Sequence, residues 1–173
     1  HNLLKAGGFE PGGNGKVPGT DGDAQADTKV RKSGAASLRL SADGGRATTR
    51  LTPEVKLIKG VPYYFGVWSK TDNVARFGYQ AGPGAHVRFT SNDPKTDKPT
   101  NAFDGRVMAE CSTRPWLRMG FEPRIKEWGD DISHAPALAD KATVEFVLPQ
   151  PRHYYMKKGH TRGTWWLDEA VLL

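Results

Sequence analysis

Two acidic residues near opposite ends of the chain, Glu10 and Asp168, stand where a cation could be held. Asp168 lies inside Gly163-Thr-Trp-Trp-Leu-Asp-Glu-Ala-Val-Leu-Leu173, which reads as a strand. Trp165 and Leu167 are spaced to bury, as are Val171 and Leu173 past a kink expected at Asp168–Glu169. A carboxylate in the middle of such a strand is costly to bury unless something satisfies it. Glu10 closes the opening segment Asn2-Leu-Leu-Lys-Ala-Gly-Gly-Phe-Glu10, read as a first strand. If the first and last strands pair, the two acids meet, and oxygen-rich side chains at a strand edge suit a hard cation, calcium above all. The alternative is a pair of hydrogen-bonded or salt-bridged carboxylates without metal.

A second kind of chemistry is concentrated in Arg152-His-Tyr-Tyr-Met-Lys-Lys-Gly-His-Thr-Arg162. This stretch carries four Lys/Arg, two His and two Tyr, and no acidic residue falls between Glu145 and Asp168. Its Arg and Lys can pair with carboxylates or sulfates, Arg often bidentately. A solvated hairpin made basic for solubility is the plainer alternative. His86 and Arg88 share one strand face opposite Val87 and Phe89, and Arg46, Thr48 and Arg50 alternate against Ala47, Thr49 and Leu51. Either set is equally an ordinary polar strand face. Trp128 sits in a polar loop, either capping the core or lying open at a cleft edge.

No other catalytic arrangement stands out. There is no His-Glu-x-x-His, no Gly-x-Ser-x-Gly, no phosphate loop and no second cysteine beside Cys111. The pairs Asp130/Asp131 and Asp168/Glu169 are adjacent, so on a strand they point to opposite faces, which is poor geometry for two carboxylates flanking one glycosidic bond. His86, His134, His153 or His160 could act as a base with Tyr154 or Tyr155, although nothing in the spacing demands it.

The elements that must position these groups are short strands. At 173 residues, with 37% hydrophobic residues, 20 Gly and 12 Pro, the chain suits one domain of strands joined by turns. Strands are expected at Ala36–Leu40, Arg46–Leu51, Tyr63–Lys70, Ala75–Tyr79, His86–Thr90, Arg106–Glu110, Trp116–Phe121, Ala142–Leu148, Arg152–Met156 and the C-terminal segment. Asp72-Asn73 is expected to turn, and Ser91–Thr100 to be a surface loop. No helical periodicity extends beyond about ten residues. The expected fold is all-β: a β-sandwich (jelly roll) of two antiparallel sheets, one domain over 1–173.

No apolar run approaches the ~18 residues of a membrane helix. No signal peptide is visible, and a chain opening on His1 reads as a mature or trimmed segment. The net charge of +6 favours polyanionic partners. Nucleic acid is set aside, because no recognition motif or Lys/Arg-rich helix is present.

Four pieces in order carry a resemblance: Asn2–Glu10, Ser33-Gly-Ala-Ala-Ser-Leu-Arg-Leu40, Gly60-Val-Pro-Tyr-Tyr-Phe-Gly-Val-Trp-Ser-Lys70 and Trp165-Trp-Leu-Asp-Glu-Ala-Val-Leu172. The chain resembles the jelly-roll carbohydrate-binding modules of the family 4, 9, 16 and 22 kind. That resemblance implies a structural calcium tying the termini to the Ser-Gly turn, with side-chain ligands Glu10 and Asp168 and backbone carbonyls near Lys32 and Ala35. It also implies that Trp68 belongs to the core. Relatives usually have Lys-Tyr where this chain has Ala35-Ala36, a change that a backbone ligand survives.

The expected function is a non-catalytic module of a secreted or cell-surface bacterial polysaccharide-degrading enzyme. A monomer, it would carry the parent enzyme's catalytic domain to a glycan, with an anionic (sulfated or uronic) one favoured by the charge. Its candidate sugar contacts are Arg46, His86, Arg88, Trp128, Arg152, His153 and Tyr155, since aromatic rings stack on pyranose faces. The alternative is a small jelly-roll lyase or hydrolase acting on such a glycan.

Overall fold

The computed structural model describes residues 1–13, 15–59, 61, 63–75, 83–93, 95–121, 139–148 and 162–173. Eleven strands follow one another: β1 (Thr20–Gly22), β2 (Gln25–Asp27), β3 (Ser37–Asp43), β4 (Ala47–Leu51), β5 (Val55–Lys56), β6 (Phe65–Val74), β7 (Gly84–Asn92), β8 (Pro99–Met108), β9 (Ser112–Phe121), β10 (Lys141–Leu148) and β11 (Arg162–Leu172). There is no helix among the described residues. One sheet, sheet A, runs β1-β4-β10-β7-β8 with β5 beside β10; the other, sheet B, runs β2-β3-β11-β6-β9. Every pairing is antiparallel. The two-sheet sandwich expected from alternation is therefore present.

Alternation decides which side chains meet between the sheets. Sheet A sends in Ala47, Leu51, Ala85, Val87, Phe89, Ala142, Val144, Phe146 and Leu148, all buried. Sheet B answers with Leu38, Leu40, Phe65, Val67, Trp165 and Leu167. Phe146 is the joint between them. Its ring meets Trp165 of sheet B edge-on at 6.0 Å and Phe9 of the N-terminal segment at 6.1 Å. The buried indole of Trp165 donates to the Ser69 hydroxyl at 2.8 Å, so its polar atom is not orphaned.

The chain ends do lie side by side, but the opening segment is not a strand. It makes a turn at residues 5–8 and clasps β11 through single hydrogen bonds. The Leu3 N–H donates to the Leu172 carbonyl at 2.9 Å, and the Ala170 N–H donates to the Gly7 carbonyl at 2.8 Å. The Asn2 side chain adds two more, donating to Ala170 O and accepting from Leu172 N–H. Gly7 is required at this approach: a Cβ there would fall 2.0 Å from the Ala170 carbonyl oxygen.

Three further expectations are corrected. The kink in β11 is real, with Glu169 at φ 46° and a register shift between Asp168 and Val171. It moves the buried set onto Ala170 and Leu172, leaving Leu173 48% exposed, because a bulge inserts a residue and inverts the alternation after it. The expected turn at Asp72-Asn73 lies inside β6, where Asn73 takes φ 49° within an irregular pairing to β9. Strands β7 and β8 extend into the expected loop, reaching Asn92 and starting again at Pro99. The strand expectations at Ala75–Tyr79 and Arg152–Met156 fall wholly or mostly outside the described residues.

Candidate functional site

The outer face of sheet A is a charged lattice set by register. Asp21 pairs with Arg50, Arg50 with Glu145, Glu145 with His86, and His86 with Arg106, so one row crosses five strands. In β4, β7 and β10 the neighbours of these residues along the strand point into the core, which forces the row itself outward. Arg50, Arg88 and Arg106 are exposed; His86 and Glu145 are half-buried. Arg88 pairs in register with Thr143 and reaches diagonally to Glu145, Nη2 to Oε2 3.8 Å. The row flanking it on the other side, Thr48–Val147–Gly84–Met108, is uncharged. Along this part of the sheet Arg50 and Arg88 flank the Glu145 carboxylate, and Arg106 stands beyond His86 on β8. Such a surface offers planar, fork-shaped donors to carboxylates or sulfates.

His86 and Arg88 are thus on the face expected of them. Arg46 is exposed and precedes β4 rather than joining its ladder. Trp128, Arg152, His153 and Tyr155 lie outside the described residues. Sequence reasoning does not single out Glu145 or Arg106, although Glu145 alternates with Val144 and Phe146 in a strand that the pattern marks clearly. The signal available is that alternation, read across strands instead of along one.

The acidic pair also comes together. Asp168 is fully buried, and its Oδ2 accepts the N–H groups of Lys32 (2.8 Å) and Ser33 (3.0 Å), while Oδ1 accepts from Glu169 N–H at 2.8 Å. Both oxygens of Glu10 accept the Ala35 N–H, at 3.2 and 3.1 Å. Two acids from opposite ends of the chain therefore hold the same turn, without the strand pairing expected to bring them together. Gly34, at φ 58°, makes room: a Cβ on it would stand 2.2 Å from Glu10 Oε1. Burial pushes the Asp168 carboxyl above its usual range, against the opposing pull of the Ser33, Lys32 and Glu169 N–H groups.

This donor set is compatible with a hard cation. Asp168 carries a buried charge that no cationic side chain contacts among the described residues, and Glu10 is exposed beside it. Among the described residues no third acidic, His or Cys side chain joins them. The remaining ligands would have to be backbone carbonyls and water.

The outer face of sheet B corrects the reading of Trp68. Phe65, Val67, Ser69 and Thr71 point inward, so Tyr64, Trp68 and Lys70 point out, and Trp68 is half-buried rather than core. On the same face Trp166 donates its indole N–H to Asp27 Oδ2 at 2.9 Å. Burial alone would raise the Asp27 pKa. The Trp166 indole, the N–H groups of Val30 and Lys29 and the Arg39 guanidinium outweigh it, and the carboxyl sits below the usual 3.8. A depressed folded-state pKa means that the unfolded chain binds more protons in the window below 3.8, so stability rises with pH there. The advantage of wild type over Asp27→Asn in urea melts should therefore be full above 3.8 and shrink as pH falls through the lowered value. A difference constant with pH would remove the assignment.

No known protein-family profile matches the chain, and no curated protein sequence matches it. Solved structures do match in shape. Over 100% of this chain and 98% of its own, the module TmCBM61, solved with β-1,4-galactotriose, superposes with a TM-score of 0.59 at 14% identity. The CBM22-2 xylan-binding domain of Paenibacillus barcinonensis Xyn10C matches 92% of this chain and 93% of its own, TM-score 0.52, 10% identity. The enzymatically active domain of a tailspike protein from bacteriophage CBA120 gives a TM-score of 0.63 at 13% identity, but the match covers only 21% of that chain. The expected likeness to family 22 modules is borne out in the fold, and family 61 joins it. In architecture, the chain is similar to the β-sandwich carbohydrate-binding modules of families 61 and 22.

Proposed function

We propose that this chain is a non-catalytic carbohydrate-binding module that holds an anionic glycan against the outer face of sheet A. The observation that carries this reading is the row Arg50–Glu145–His86–Arg106 with Arg88 beside it. Guanidiniums on a sheet face grip planar anionic groups, and Glu145 both orients Arg88 and accepts from sugar hydroxyls. The fold likeness to sugar-binding modules and the net charge of +6 support the same assignment. The task of such a module is capture. Tethered to a secreted or cell-surface polysaccharide-degrading enzyme, it raises the local concentration of the catalytic domain at its substrate.

The structural cation belongs to the same proposal. Glu10 and Asp168 would supply the side-chain ligands, with backbone carbonyls near Lys32 and Ala35. Calcium bound there would neutralise the buried Asp168 charge and cross-link the two chain ends to the Lys32–Ala35 turn.

Affinity electrophoresis through gels holding neutral, uronic or sulfated polysaccharide tests the glycan reading. Retardation is expected on the anionic gels and should fade as added salt brings the Debye length well below ~10 Å. Arg88→Glu and Arg50→Glu should each weaken retention about tenfold. Retardation on neutral gels alone, indifferent to salt and to both substitutions, would overturn the proposal.

A further inference from the structure

Sheet B presents its own surface of aromatic rings interleaved with cations, pointing away from sheet A. Trp68 is its centre. Lys32 Nζ lies 4.7 Å and Arg118 Cζ 5.8 Å from the centroid of the Trp68 ring, and Arg118 is the cross-strand partner of Trp68 in the β6–β9 ladder. The next row is Gly66 opposite Gly120, which leaves room beside the ring for neighbouring side chains. A Cβ on Gly66 would meet the Tyr64 hydroxyl at 2.6 Å and Arg118 Nη2 at 2.8 Å, and one on Gly120 would meet the same hydroxyl at 3.0 Å. Tyr64 and Arg118 therefore lie down across the glycines. On the other side Lys70 pairs with Trp166.

The cations here differ from an ordinary polar strand face in how they are used. Arg39, on the same sheet, is matched by Asp27 at 3.8 Å and by the Gln25 side-chain oxygen at 2.8 Å. Lys32, Lys70 and Arg118 have no ion pair among the described residues. A ring face attracts a cation but accepts none of its N–H bonds, so the donors of Lys32 and Arg118 remain available to anionic oxygens. Bound over one ring, the two charges stand at most about 10.5 Å apart, with an aromatic edge between them. That combination fits an acidic sugar: the cations take sulfates or carboxylates, and the half-buried indole offers apolar surface to the pyranose between.

We propose that the outer face of sheet B, centred on Trp68 with Lys32 and Arg118, is a second and independent binding surface for an anionic glycan. The inference rests on the reading of the chain as a glycan-binding module. The two outer faces of a sandwich point in opposite directions, so no single stretch of sugar reaches both. One module then bridges two glycan strands.

Calorimetric and tryptophan-fluorescence titrations with two probes test this: a heparin-derived hexasaccharide (sulfated) and an oligogalacturonate of equal length (uronic). The probe that binds identifies the anionic group. Wild type should take two equivalents, with a change in tryptophan emission. Lys32→Gln/Arg118→Gln, both changes at exposed side chains, should take one equivalent and lose most of the emission change, with its melting temperature intact. Arg50→Gln/Arg88→Gln should also take one equivalent but keep the emission change. A single wild-type equivalent retained by Lys32→Gln/Arg118→Gln overturns the second surface and leaves the sheet A reading standing. A single equivalent lost only in that variant overturns the sheet A site instead. Saturation of sheet B by a single-stranded oligonucleotide, with neither sugar bound there, overturns the glycan assignment in favour of nucleic acid.

Discussion

Asp168→Ala is expected to cost about 3–4 kcal/mol of folding stability, the largest loss expected from a single polar substitution among the described residues. The carboxylate is fully buried and accepts three backbone N–H groups, from Lys32, Ser33 and Glu169. Alanine removes the acceptor that all three donors share. Each buried donor left unmet costs ~1–3 kcal/mol, and partial access of water to the turn keeps the sum below three full penalties. Asp168→Asn keeps an acceptor oxygen and should lose less. Urea midpoints for the three proteins read the effect directly. The same samples test the cation: calcium should raise and chelator lower the wild-type melting temperature, while the Ala variant should respond to neither. A wild type indifferent to both would leave the two acids as hydrogen-bonding groups alone. A loss below about 1 kcal/mol in Asp168→Ala would refute the account of the turn.

Phe146→Ala should be comparably damaging, at about 3–5 kcal/mol, for an apolar reason. Its ring is completely buried and touches Trp165 across the sandwich and Phe9 in the N-terminal segment, each edge-on. Truncation forfeits the transfer energy of the ring and leaves a cavity where three separately anchored elements meet, with little freedom to collapse. Phe146→Leu fills part of that space and should recover more than half of the loss. The comparison is again by urea midpoint. Equal stability of the Ala and Leu variants would mean that the site relaxes, and that Phe146 does not act as the joint between the sheets.

The contrast between strands explains what alternation can and cannot reveal. In β10 apolar and polar residues alternate cleanly from Ala142 to Phe146, and the inward set matches the expectation. Leading into β6, the run Tyr63-Tyr-Phe-Gly-Val-Trp is apolar on both faces. Nothing local distinguishes the parity, so the sequence reading puts Trp68 inside whereas it stands outside. The distinction comes from cross-strand partners: Trp68 faces Arg118 and Asp168, whereas Ser69 faces Leu167 and receives the Trp165 indole. A one-residue shift of parity moves every side chain to the other face.

From composition and periodicity alone follow an all-β body, the positions of its main strands, and the need of Asp168 for a partner, which is met by turn N–H groups and not by a paired first strand. These rest on interactions local in sequence or on the cost of burying a charge, both of which leave a signature in residue type. The bulge at Glu169, the row joining Arg50, Glu145, His86 and Arg106, and the ring of Trp68 between Lys32 and Arg118 were decided only by the tertiary structure. Each depends on register between strands distant in the chain. Register is set by how whole faces pack, and no single segment encodes that.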